Sequence, residues 1–251
     1  MTTKSKIPLL IYTHSDCSFI WSALVGQISQ YVRDVEIHFA YNDTIDDIEK
    51  YDIPESWIRH TYVDNIVWTK RINSILKEID CEYLLFIHED WIPTAPVSGK
   101  ILDEMYNFMS ENSWDYLLSY AHYSVVESQD GIFTGHDDYY FYKEDSHIFQ
   151  PAIWKKTVFE EFTDQLDKTK NQNEDQDCLS FMRSKNTYSV QNVKTVRQYR
   201  TTNSLIFPHM HALSEGLWNF TKYPTLKKLL DGYGIDTDSR GIHTWWELDT
   251  Q

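Results

Sequence analysis

The chain has 251 residues, 41% of them apolar and 15% aromatic, enough to bury a full core within one large domain. Its 38 acidic against 23 basic residues leave a net charge of −15, a field that repels nucleic acid and restricts anionic substrates to sites with a metal ion or a local basic cluster. Three scattered cysteines without zinc spacing, no signal peptide, and no run approaching the roughly 20 apolar residues that cross a bilayer predict a soluble cytoplasmic protein without membrane insertion.

Residues 7–13, Ile-Pro-Leu-Leu-Ile-Tyr-Thr, form an apolar run that predicts a buried strand. His14, Ser15 and Asp16 follow, offering caps to a helix whose apolar face is Phe19, Ile20, Ala23, Leu24, Ile28 and Tyr31. A second strand, Val35 to Tyr41, ends on Asn42-Asp43, and a polar, acidic loop is expected from there to about residue 63. Trp68, Ile72, Ile75, Leu76 and Ile79 then recur at helical spacing. They lead into Tyr83-Leu84-Leu85-Phe86-Ile87, a buried strand that stops on His88-Glu89-Asp90. A helix over Gly99–Met109 and a strand over Asp115–Tyr120 continue the alternation.

From Ala121 to Gln150 the chain is irregular, acidic and aromatic, as expected of a ligand-facing excursion or hairpin, with a short strand at its end over His147–Gln150. A helix over Thr157–Leu166 precedes a polar loop, and Asn173-Glu174-Asp175-Gln176-Asp177 opens another helix. The tail from about residue 203 has no regular pattern and reads as a wrapping or lid segment.

Strand and helix alternate through the first 90 residues, the start of a doubly wound α/β domain with a mostly parallel mixed sheet and helices on both faces. In such sheets ligands bind outside the carboxyl ends of the strands. Three strands here end in polar clusters, and carboxylates so placed suit a metal ion or a phosphate-bearing ligand. The aromatic content also suits a carbohydrate groove, since the C–H faces of sugars lie against rings.

In their order, these signals resemble the nucleotide-sugar glycosyltransferases of the GT-A fold, the inverting family-two type above all. The matching positions are Thr13 to Ser15, then Asp43, then Trp68-Thr69-Lys70-Arg71-Ile72-Asn73, then His88-Glu89-Asp90, then Glu174-Asp175, across about residues 7 to 215. The resemblance implies one catalytic domain over 1–251: a donor-binding half over about 7–120, an acceptor and catalytic half over about 121–202, and a lid over about 203–251. It implies transfer of a sugar, with inversion, from a nucleoside diphosphate (UDP favoured) to a hydroxyl of a glycan or other acceptor. Thr13, His14, Asp43, Arg71, His88 and Asp90 would bind the donor. Asp90 would hold Mn2+ or Mg2+, with His209 as a second ligand on the strength of a histidine five residues before a serine. His88 stands where the family has its first aspartate, an imidazole in place of a hard oxygen ligand. Asp175 would be the base that activates the acceptor hydroxyl, with Glu174 beside it.

Read from residues alone, three other functions stay open. A carbohydrate-binding protein without catalysis accounts for the aromatics. A nucleotidyltransferase that makes sugar nucleotides uses a similar sheet, although residues 13–19 lack its glycines and basic residue. A hydrolase of sugar diphosphates would use water as acceptor.

Overall fold

In the computed structural model, residues 4–45, 47–119, 139–143, 151–168, 174–192, 204 and 206–243 are described. The elements are β1 (Leu9–Tyr12), α1 (Trp21–Tyr31), β2 (Ile37–Asn42), β3 (Ile58–Tyr62), α2 (Trp68–Leu76), β4 (Tyr83–His88), α3 (Gly99–Glu111), β5 (Tyr116–Leu118), β6 (Tyr139–Lys143), β7 (Ala152–Lys155), α4 (Lys156–Lys168), α5 (Glu174–Arg183), β8 (Thr187–Asn192) and α6 (Pro224–Gly232). Eight strands form one sheet in the order β3-β2-β1-β4-β7-β5-β8-β6. Ladders β3-β2, β2-β1, β1-β4 and β5-β8 are parallel; β7 runs against both of its neighbours, and β6 runs against β8. The expected α/β architecture is therefore present.

Alternation of side chains splits the core into two layers. Leu9, Ile11, Leu85 and Ile87 face one way, against α1, α3 and α6. Leu10, Tyr12, Leu84 and Phe86 face the other, against α2, α4 and α5. With both faces covered, β1 and β4 need apolar residues at every position, which is why they read as unbroken runs. Each fully buried aliphatic or Phe side chain contributes roughly 1.5–3 kcal/mol. Gly99 opens α3 where a Cβ would stand 3.0 Å from the Asp34 carbonyl oxygen, so any larger residue would make that turn give by a few tenths of an ångström.

Several expectations change. The region to residue 63, expected as loop, contains β3, the outermost strand; Ile58 and Thr61 are exposed and only His60 and Tyr62 are buried, so it lacks the apolar run of an inner strand. The tail contains α6, which Pro224 starts at its first position and Leu226 and Leu230 anchor. The strand expected over 147–150 and most of the 121–150 excursion lie outside the described residues, although β6 lies within that stretch and β7 follows it. Beyond the main sheet, Trp91–Pro93 pairs antiparallel with His209–His211, and this ladder draws the tail to the end of β4.

His38 on β2 and His60 on β3 are both buried and stack at 5.1 Å between ring centroids. His38 Nδ1 and His60 Nε2 are 2.8 Å apart, His38 Nε2 is 3.1 Å from Glu36, and His60 Nδ1 is 2.8 Å from Glu78, just past α2.

Candidate active site

Parallel pairing sets the ends of β1 to β4 side by side: Tyr12 lies opposite Ala40 and His88, and Asn42 opposite Tyr62. The residues that follow those strands therefore share one rim, and they form two clusters.

The first cluster joins the ends of β1, β2 and β3. His14 Nδ1 accepts the Asp16 backbone N–H at 3.2 Å, so Nε2 carries the proton and donates it to Asp64 Oδ1 at 2.8 Å. Arg71, from α2, reaches the same Asp64 oxygen at 3.1 Å, donates to the Asp64 carbonyl, and donates from Nε to the Ile66 carbonyl at 2.7 Å. The hydrogen bond from His14, ahead of the Arg71 charge, holds the Asp64 carboxyl below its ordinary range. Asn42 is fixed from both ends: Oδ1 accepts the Ser15 N–H at 2.7 Å, and Nδ2 donates to Ser15 Oγ at 2.7 Å. Asp43 is exposed and accepts the Asp64 N–H at 3.2 Å. Thr13 is fully buried, its hydroxyl donated to the Ala40 carbonyl at 2.8 Å, and the Tyr62 hydroxyl donates to its carbonyl.

The second cluster stands at the end of β4. Asp90 Oδ2 is 2.8 Å from His211 Nε2, and the Asp90 carbonyl accepts the Ala212 N–H at 2.7 Å. The His211 ring lies flat on Trp91, 4.0 Å between centroids at 4°. Glu89 is buried; burial, then the adjacent Asp90 charge, raises its carboxyl to about 7. Its neighbour across the rim is the Cys17 thiol, in the short helix Ser15–Ile20. Burial, with Glu89 beside it, pushes that thiol well above its ordinary range, so it stays protonated. His88 stands edge-on to Tyr12 and Phe86, at 5.8 and 5.0 Å, and burial lowers its pKa.

His209 lies elsewhere on the same short strand. It is buried, its Nδ1 bonds the Phe207 carbonyl, and its edge meets Trp91 at 4.6 Å. Burial pushes its pKa down to about 4, so it is neutral. The late histidine that approaches Asp90 is His211, two residues on. Glu174 and Asp175 form the first turn of α5, but their side chains lie outside the described residues. Sequence reasoning missed Asp64 and His211. Asp64 carried a signal, since it follows an alternating Ile58-Arg-His-Thr-Tyr62 segment as Asp43 follows β2. His211 carried none, because its place depends on a pairing across more than a hundred residues.

As donors, Asp90 and His211 offer one carboxylate oxygen and one imidazole nitrogen at one point. That pair suits Mn2+ as part of a shell completed by phosphate and water oxygens, and suits Mg2+ less well. Among the described residues no three such side chains converge closely enough to hold an ion by themselves.

No protein-family model and no curated sequence matches the chain. Solved structures do. A putative nucleotide-diphospho-sugar transferase from Desulfovibrio desulfuricans G20 is similar at 11% identity and TM-score 0.47, over 91% of this chain and 98% of that one. Staphylococcus aureus TarS (residues 1–349) is similar at 13% identity and TM-score 0.45, over 73% of this chain and 58% of its own. The mannosyltransferase PcManGT from Pyrobaculum calidifontis, in complex with GDP-Man and Mn2+, is similar at 11% identity and TM-score 0.43, over 64% of this chain and 47% of its own. The chain thus spans about half the length of the last two. Synthases of cytidine-activated compounds also match. Among the described residues, no helix is long and apolar enough to cross a membrane.

Proposed function

We propose that this chain is a glycosyltransferase that moves a sugar from a nucleoside diphosphate, UDP favoured, to a hydroxyl of a glycan or other acceptor, with inversion. The observation that carries the reading is the pairing of Asp90 with His211 at 2.8 Å on the same strand-end rim as the His14–Asp64–Arg71 cluster. Two sites side by side, one rich in fixed acceptors and one suited to a cation, fit a nucleoside and its diphosphate in sequence.

In this reading the nucleoside lies against the first cluster. Asp43 and Asp64 present carboxylates to ring N–H or ribose hydroxyl groups, and Arg71 holds Asp64 in place instead of touching the phosphates. The diphosphate lies toward Asp90 and His211, which would hold Mn2+ or Mg2+; such an ion, when bound, neutralises the charge that builds on the leaving diphosphate. His88 borders the ribose. Asp175, at a helix N-terminus that favours its ionised form, takes the acceptor proton, and Glu174 orients the hydroxyl. A single displacement with one base gives inversion.

The test is a thermal-shift screen of UDP, GDP, CDP and their sugars with and without Mn2+, followed by product analysis with the sugar nucleotide that binds. A ligand selective for the native state raises the melting temperature by mass action. A glycoside product supports transfer. Free sugar alone points to a hydrolase, nucleotide-sugar formation from a nucleoside triphosphate and sugar phosphate to a nucleotidyltransferase, and glycan binding indifferent to nucleotides to a lectin-like role.

A further inference from the structure

The two adjacent basic residues of α2, Lys70 and Arg71, are both engaged. Arg71 is bound to Asp64 and to two carbonyls, and Lys70 pairs with Asp167 at 3.4 Å. The rim itself is acidic, with Glu89 and Asp90 at the end of β4. Even with a divalent ion at Asp90 and His211, a dianionic or trianionic group arriving there keeps net negative charge that a cation from another part of the chain would offset.

That charge is available from the tail. The Arg240 guanidinium lies 4.0 Å over the Phe19 ring and donates one hydrogen bond, to the Gly216 carbonyl at 3.2 Å. Among the described residues no carboxylate lies within 4 Å of it, in a chain with 38 acidic and 23 basic residues. Its position is tied to the second cluster. Phe19 is two residues from Cys17 in the short helix after β1, and Cys17 touches Glu89. The charges of Asp90 and Arg240 both act on that one thiol, with opposite signs. Its mounting is also fixed. The Gly241 carbonyl accepts the Trp218 N–H at 2.9 Å, His243 N–H returns to the Trp218 carbonyl at 2.8 Å, and Trp218 packs edge-on to Phe19 at 5.7 Å. The hairpin Leu213–Ser214 with Leu217–Trp218 follows directly from His211. One segment thus sets both His211 against Asp90 and Arg240 against Phe19.

From this geometry we infer that Arg240 is the protein's own cation for the donor diphosphate, a binding residue that approaches from the tail across the end of β1 and is pre-organised by Phe19. The inference rests on the donor-binding reading above. A guanidinium fork matches two phosphate oxygens, and stacking on a ring removes rotamer freedom before the ligand arrives.

The experiment compares the nucleoside diphosphate that stabilises the wild type most, among UDP, GDP and CDP, with its parent nucleoside, by calorimetry in Mn2+ on wild type, Arg240→Gln and Arg240→Lys. Losing a charge-assisted contact should weaken the diphosphate about ten- to hundredfold in Arg240→Gln and leave the nucleoside unchanged, with partial recovery in Arg240→Lys. Unchanged nucleoside affinity doubles as the check that the variants are folded. If Arg240→Gln binds the diphosphate as tightly as wild type, the role of Arg240 falls and donor binding stands. If the wild type binds no nucleoside diphosphate, the donor reading falls and takes this inference with it.

Discussion

His38 and His60 face each other across β2 and β3 with 2.8 Å between Nδ1 and Nε2, and each turns its remaining nitrogen to a glutamate. Two neutral imidazoles have two N–H groups for three contacts, so one contact lacks a proton until a third is taken up. Burial, the largest influence, pushes the His38 pKa below its ordinary 6.5, and the His60 charge adds to this; the Glu36 bond opposes both, while Lys4 sits on Glu36. The unfolded chain then binds the proton first. Stability from His38 is full above about pH 6.5 and falls as the pH drops toward the folded value. Chemical denaturation from pH 7.5 to 5.5 should show this loss, and His38→Gln should flatten the curve. An equal slope in both proteins would contradict the assignment.

His209 should extend the acid limb. Its folded pKa of about 4, against 6.5 unfolded, stabilises the neutral fold by up to about 3 kcal/mol near pH 7, most of it lost by pH 4. His209→Asn, which can still donate to the Phe207 carbonyl, should keep most of the fold and show a shallower decline between pH 6 and 4.

Asp90→Asn should cost transfer about a hundredfold or more, since it removes the charge placed to hold the cation. His211→Gln should cost less and weaken the Mn2+ dependence. Activity assays across Mn2+ concentration separate the two, and normal Mn2+ response in both variants would remove the cation site from this rim.

Asp175→Asn should reduce turnover about 10²- to 10⁴-fold while donor affinity stays near wild type, the signature of a missing base. Near-normal turnover would mean that another group takes the acceptor proton.

Asp64→Ala should release His14 and Arg71 together. We expect nucleoside affinity to fall about tenfold or more with little change in melting temperature. Equilibrium binding of the nucleoside alone measures it, and unchanged affinity would move the base-binding site elsewhere.

Inner strands announce themselves because both of their faces are buried. Leu9–Tyr12 and Tyr83–His88 were therefore legible, and so were the polar groups at their ends. β3 was not, because an edge strand needs only His60 and Tyr62 inside. α6 was hidden by its short stripe of leucines in a tail rich in turns. Asp90 was recognisable from its strand end alone. Its partner was not, because Trp91–Pro93 meets His209–His211 through contacts that no local pattern encodes. Arg71 was legible as a cation on α2, but the three oxygens that hold it, two from Asp64 and one from Ile66, were not, since no spacing in the sequence shows them.

β7 lies between β4 and β5 and runs against both. Residues 83–88 thus wait for residues 152–155 before their outer edge is closed, and the end of β4 waits longer still for residues 209–211. On the ribosome, the first hundred residues would emerge with a bare hydrogen-bonding edge, a state that chaperones recognise and that invites aggregation. Refolding from denaturant should accordingly be slow, set by long-range closure, and a fragment ending before residue 150 should not persist as a stable unit.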